Sequence, residues 1–154
     1  MLDKDAHIYC WVTNNFFPDG IKLVEALGFR YVTKITWTKG KITATEGKKF
    51  LYVPDMDEIE PIEFEKEKPG LGQYFRGLTE DCIFGVRGKL PYKIDPVTGK
   101  RCQGITGFIA PREEHSKKPD IMYDMIERVS YGPYIEMFAR QERGGQWLSW
   151  GNEV

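Results

Sequence analysis

The chain has 154 residues, enough for one domain of ordinary size with a core of its own. Hydrophobic residues make up 41% of it and aromatics 14%, which excludes a disordered polar chain, and no apolar run approaches the roughly 18 residues of a membrane helix. With a net charge of −1 there is no overall attraction to polyanions, so a nucleic-acid partner has to be held by a local basic patch.

In chain order, residues 7–13 (HIYCWVT) form a near-continuous apolar run with β-branched and aromatic content, as expected for a strand buried on both faces. Pro18 and Asp19 open a helix carrying Ile21, Leu23, Val24 and Leu27, and Gly28 stands where a left-handed cap ends such helices. Residues 31–39 alternate, with Tyr31, Thr33, Ile35 and Trp37 on one side, so the first forty residues predict a parallel strand–helix–strand crossover. Residues 40–69 are rich in Lys and Glu around Phe50-Leu51-Tyr52-Val53, and read either as a solvated loop with a small hairpin or as a flexible insertion acting as a lid. A Gly-rich turn then precedes a strand within 70–88, Asp95-Pro96 and Thr98-Gly99 carry turn chemistry, and 105–110 is a further short strand.

The last part of the chain is the most informative. Pro119 and Asp120 suit the start of a helix, and Met122, Met125, Ile126 and Val129 recur at helical spacing over 119–130. Residues 134–140 (YIEMFAR) alternate Tyr134, Glu136, Phe138 and Arg140 against Ile135, Met137 and Ala139, and Gly144-Gly145 separates them from a second strand-like piece, QWLSW. Helix, strand, turn and strand belong to a doubly wound sheet, whose ligands sit at the carboxyl ends of the strands, and Glu136, Arg140, Asn152 and Glu153 fall at or near such ends. Cys10, Cys82 and Cys102 are unevenly spaced and form no metal pattern, and an odd count favours free thiols in a reducing interior. Neither His7 nor His115 has a ligand at metal spacing; His115 reads as a helix-entry residue.

The strings REEHSKKPDIMYDMIERVS, IEMFAR and WGNEV, in that order, together with Trp11-Val12-Thr13, Gly28-Phe29, Trp37-Thr38-Lys39 and the glycine-rich segment 70–88, resemble the MT-A family of N6-adenine methyltransferases, relatives of the eukaryotic mRNA N6-methyladenosine writer. The resemblance covers nearly the whole chain. It implies an α/β, Rossmann-like methyltransferase fold in a single domain, S-adenosyl-L-methionine as cofactor, and DNA or RNA containing a target adenine as partner. It also implies an intracellular, cytoplasmic setting, in a bacterium or a phage-infected host, with no membrane association.

Carried over position by position, the resemblance assigns five residues to the cofactor. Lys118 would face its methionine carboxylate, Glu136 and Arg140 its ribose or amine, and Asn152 and Glu153 its ribose and adenine. Plainer fates are a surface lysine, a structural Glu–Arg pair and a frayed tail. Arg76 and Glu80 match acceptor-side positions, where an ion pair is the plainer outcome. Trp37 and Lys39 are candidates for stacking on a base and gripping a phosphate, against a core tryptophan. In the eukaryotic catalytic subunit a His-Asn pair follows the arginine, but Glu142 and Arg143 stand here, and that contact is not carried over.

Methylating adenine N6 calls for a carboxylate and a prolyl carbonyl to accept the amine's two hydrogens, the work of an Asp-Pro-Pro-aromatic loop in this family. This sequence has no Pro-Pro pair, and its sole Asp-Pro, at 95–96, reads as a turn. The expectation is therefore a fold incomplete at its N-terminus, with no catalytic residue assigned and the loop supplied by an upstream stretch, a partner chain or a homodimer. A catalytically silent scaffold of the same fold and a degenerate remnant are the rival expectations.

Overall fold

Strand β1 (Ala6–Val12) leads through a short 3-10 turn into helix α1 (Phe17–Ala26) and then strand β2 (Arg30–Thr45). The computed structural model describes residues 4–45, 49–54, 75, 77–114 and 117–151. Contacts divide the chain into two units, the first Met1–Leu90 with Ile105–Arg112, the second Pro91–Gly104 with Glu113–Val154.

In the first unit β4 (Thr79–Arg87) runs between β1 and β2 and is antiparallel to both, so β1 and β2 point the same way, with α1 as their crossover. The strand–helix–strand reading of the first forty residues holds, with a third strand inserted between the two. Strand β3 (Lys49–Pro54) pairs antiparallel with the second half of β2, and β5 (Gly107–Ala110) pairs parallel with Thr36 to Lys39, completing a mixed five-stranded sheet. The β2–β3 hairpin thus occupies the first part of the segment expected to be an insertion or lid, and 55–74 lie outside the described residues.

Sequence and structure differ at two places here. The residues of β1 are all half-buried rather than buried on both faces, because β4 is their one neighbour in the sheet among the described residues. A register shift between Tyr31 and Thr33 sets Tyr31 opposite Gly85 while Thr33 lies opposite Phe84, so Tyr31 leaves the face of Thr33, Ile35 and Trp37. An extra residue in one strand reverses the alternation from that point on.

Helix α1 has a proline in its first turn, where no N–H is lost, and Gly28 takes φ +87 just past its end. Its sheet-facing stripe is Phe17, Gly20, Ile21 and Val24, packed with Ile8, Cys10, Val12 and Ile83, while Leu23 and Leu27 stay exposed. Gly20 sets the approach: a Cβ there would run into the Val12 side chain and come within 2.8 Å of Ile83 Cδ1. Only a residue without a side chain lets the helix lie this close to the sheet.

The second unit is built on helix α2 (Asp120–Val129), with Pro119 at its N-cap and Met122 and Ile126 buried. Asp120 in the first turn and Arg128 in the last match the helix dipole. The 91–104 segment is tied to this helix: Lys93 N–H donates to Val129 O (2.8 Å), Lys93 Nζ to Glu127 O (2.6 Å), and Arg128 Nε to Gln103 O (2.8 Å). Asp95 forms the expected turn by accepting the Val97 and Thr98 amides, and these bonds lower its carboxyl pKa.

Strands β6 (Tyr134–Met137) and β7 (Trp147–Trp150) form a parallel pair with Glu136 opposite Ser149. The strand is shorter than the alternation predicts, since Phe138 turns to φ +62, a left-handed conformation costly for a residue with a Cβ. The mixed aromatic and charged face carries the contacts: Tyr134 stacks on Trp147 with ring centroids 4.8 Å apart, and Trp147 Nε1 donates to Glu127 Oε1 (2.6 Å). The apolar face of Ile135, Met137, Leu148 and Trp150 is exposed. No described helix is long and apolar enough to cross a membrane.

Candidate active site

Glu136 is the centre of the cluster in the second unit. Its strand position would leave a carboxylate among aromatic rings, a costly placement without partners. The fold supplies two. Tyr123, on α2, donates its hydroxyl to Glu136 Oε1 at 2.5 Å, and Arg143 brings its Nε to 3.7 Å from Oε2. Arg143 is held in turn by the Tyr123 ring, which lies 3.1 Å from its guanidinium carbon, and by Asp120, whose Oδ1 accepts from Nη2 at 3.3 Å. Burial, then the hydrogen bond to Glu136 and that residue's charge, push the Tyr123 phenol up to about 12, with Arg143 opposing.

This cluster sits at the carboxyl end of the parallel β6–β7 pair. Ala139 N–H donates to Trp150 O at 2.8 Å there, and Gly151 lies so close that a Cβ on it would collide with the Ala139 carbonyl oxygen. Lys118, half-buried, stands two residues before the Asp120 that holds Arg143. Arg140 is exposed, three residues before Arg143. Lys118, Glu136 and Arg140 thus belong to one unit and one stretch of connected structure, whereas Asn152 and Glu153 lie outside the described residues. Tyr123, Asp120 and Arg143 were not singled out by sequence; a tyrosine and an aspartate on a helix and an arginine in a loop carry no spacing signal, and only folding joins them.

The residues present fit S-adenosyl-L-methionine in their donor set. Glu136 Oε2 lies beyond hydrogen-bond reach of Arg143, and the Arg143 Nε–H is buried without a hydrogen-bond partner among the described residues. An acceptor and a donor side by side match a ligand that carries hydroxyls, and a lysine nearby matches a carboxylate.

The acceptor-side candidates lie in the first unit. Lys39 Nζ is 3.4 Å from Glu80 Oε2 and 5.1 Å from the centre of the Trp37 ring, and Trp37 faces Glu80 across the β2–β4 ladder. Three of the four substrate-side residues therefore form one group, with Glu80 in an ion pair; Arg76 lies outside the described residues. Trp37 is only 2% exposed, donates its indole N–H to Ala110 O at 2.8 Å and meets Trp11 edge to face. The expectation that it stacks on a base meets a core tryptophan. Beside it, Asp81 is buried and accepts from Thr36 Oγ1 (2.6 Å) and Lys34 Nζ (3.1 Å), a structural pairing on the opposite face of the sheet. Among the described residues no three His, Cys, Asp or Glu side chains gather as metal ligands do.

Comparison with known proteins agrees with the motifs. The MT-A70 family profile matches residues 1–153. The chain is 26% identical over 155 residues to a "Probable N(6)-adenosine-methyltransferase MT-A70-like" protein of Oryza sativa subsp. japonica, covering 99% of this chain and 18% of that one. It is 26% identical over 156 residues to the "N(6)-adenosine-methyltransferase catalytic subunit METTL3" of Homo sapiens, covering 100% of this chain and 23% of that one. An MT-A70-like protein of Arabidopsis thaliana is 26% identical over 155 residues, with 19% of its length covered. The chain spans about a fifth of the length of these relatives. The mixed α/β architecture is that of a Rossmann-like methyltransferase fold, and with a match over residues 1–153 the chain belongs to the MT-A70 family.

Proposed function

We propose that this chain is part of an N6-adenine methyltransferase whose second unit binds S-adenosyl-L-methionine. The observation that carries the reading is Glu136, a strand-borne carboxylate with one oxygen fixed by Tyr123 and the other beside Arg143 without a hydrogen bond from it. The cofactor supplies an activated methyl group. Lys118 pairs with its carboxylate, Glu136 and Arg140 hold its ribose or amine, and Asn152 and Glu153 take ribose and adenine. On the acceptor side Lys39 and Glu80, with Arg76, meet the nucleic acid, and Trp37 supports Lys39 from the core. Work of this kind is positioning and electrostatics rather than covalent chemistry.

These 154 residues contain no Asp-Pro-Pro-aromatic string, so the two acceptors for the amine's hydrogens come from a segment outside them, in a longer chain, a partner or a second copy. The relatives' names speak of adenosine, which favours RNA as the acceptor over DNA. The test supplies labelled S-adenosyl-L-methionine and matched RNA and DNA oligonucleotides to the chain, alone and joined to a segment bearing that loop. Transfer to N6 of RNA with the segment, and none without it, is expected. No transfer in any combination overturns the reading.

A silent scaffold is the second reading, favoured by the same missing string. It predicts no saturable binding of S-adenosyl-L-homocysteine by calorimetry, whereas the enzyme reading predicts binding by the chain alone.

A further inference from the structure

We infer that Arg143 binds the cofactor directly, its Nε–H and Glu136 Oε2 receiving one ribose hydroxyl between them. This rests on the cofactor reading above and adds a residue to it. An arginine beside a carboxylate ordinarily closes a fork of short hydrogen bonds with it. Arg143 does not: its Nε stands 3.7 Å from Oε2, its Nη2 is drawn to Asp120, and the Tyr123 ring fixes the plane of the guanidinium. The other carboxylate oxygen is taken by the Tyr123 hydroxyl. Two groups are thereby held side by side, an acceptor open to a ligand donor and a buried donor with no hydrogen-bond partner among the described residues.

Buried donors are nearly always satisfied, so a buried and unused N–H beside a candidate ligand-binding carboxylate calls for a partner. The partner that serves both must accept from nitrogen and donate to oxygen at once. A hydroxyl does so; an ammonium only donates and a carboxylate only accepts. The hydroxyls of S-adenosyl-L-methionine are those of its ribose. Arg143 therefore takes up a cofactor contact at the place where the family's His-Asn pair is missing, through a different donor geometry.

The experiment is a cycle between protein and ligand. Calorimetry measures the affinity of the wild-type chain and of Arg143→Met for S-adenosyl-L-homocysteine and for its 2′-deoxy and 3′-deoxy analogues. Arg143→Met is expected to weaken the ribose ligand by roughly ten-fold or more, the worth of a hydrogen bond from a charged donor, while leaving one of the deoxy analogues nearly unaffected. An arginine that serves only to brace the fold weakens all three ligands alike, and that result overturns the inference, as does an unchanged affinity for the ribose ligand. Arg143→Lys, which keeps a cation beside Asp120 and removes the planar Nε–H, gives the same discrimination if Arg143→Met does not fold. Failure of the wild-type chain to bind any of the three ligands overturns the cofactor reading itself, a distinct outcome.

Discussion

Tyr123 shows how one side chain can serve two neighbours, as a donor to Glu136 and as a platform under Arg143. Its phenol is neutral when protonated, and its folded pKa of about 12 stands above the model value of 10.0. The stability linked to that shift is fully present below pH 10 and disappears as pH rises towards 12. A wild-type thermal midpoint should therefore fall over that interval more steeply than that of Tyr123→Phe, with one tyrosine lagging in the phenolate absorbance titration of the wild type alone. Gly151 makes a second case. A Cβ would collide with the Ala139 backbone at the carboxyl end of β6, next to Asn152 in sequence. Gly151→Ala is expected to weaken S-adenosyl-L-homocysteine by about ten-fold, ~1.4 kcal/mol, in calorimetry. None of these roles was legible in sequence, because Tyr123 and Glu136 are 13 residues apart, and Asp120 and Arg143 are 23 apart.

Helices and strands were more readable. The proline and glycine that bracket α1 and the helical spacing of Met122 and Ile126 in α2 locate both helices within a few residues, since capping and amphipathic spacing are local properties. Which apolar residues are buried was less readable: Leu23 and Leu27 fit the helical period of α1 yet are exposed, because Gly20 centres the stripe against Val12 and Ile83. Gly20→Val should overpack that contact and cost about 1–3 kcal/mol in denaturant unfolding. In α2, Met122→Ala removes a side chain 1% exposed and should cost ~2–5 kcal/mol. The bulge at Tyr31/Thr33 escaped sequence reading for a different reason. An inserted residue changes which neighbours a strand faces but leaves its composition unaltered.

For the molecule as a whole, the cofactor reading makes a thermodynamic demand. Saturation with S-adenosyl-L-homocysteine at about 100 times its dissociation constant should stabilise the folded chain by ~2.7 kcal/mol, seen as a rise in thermal midpoint that is lost in Glu136→Ala. An unchanged midpoint on addition of ligand would count against a cofactor site in the second unit. The ordered motifs from Trp11-Val12-Thr13 to the IEMFAR string suffice to identify the family, because each lies within a few consecutive residues and needs no knowledge of contacts. Folding alone sorts the candidates. It puts Trp37 in the core, ties Lys39 to Glu80, and surrounds Glu136 with Tyr123 and Arg143. The reason is physical: which side chains meet depends on strand register and on helix packing against the sheet, and both join residues distant in the chain.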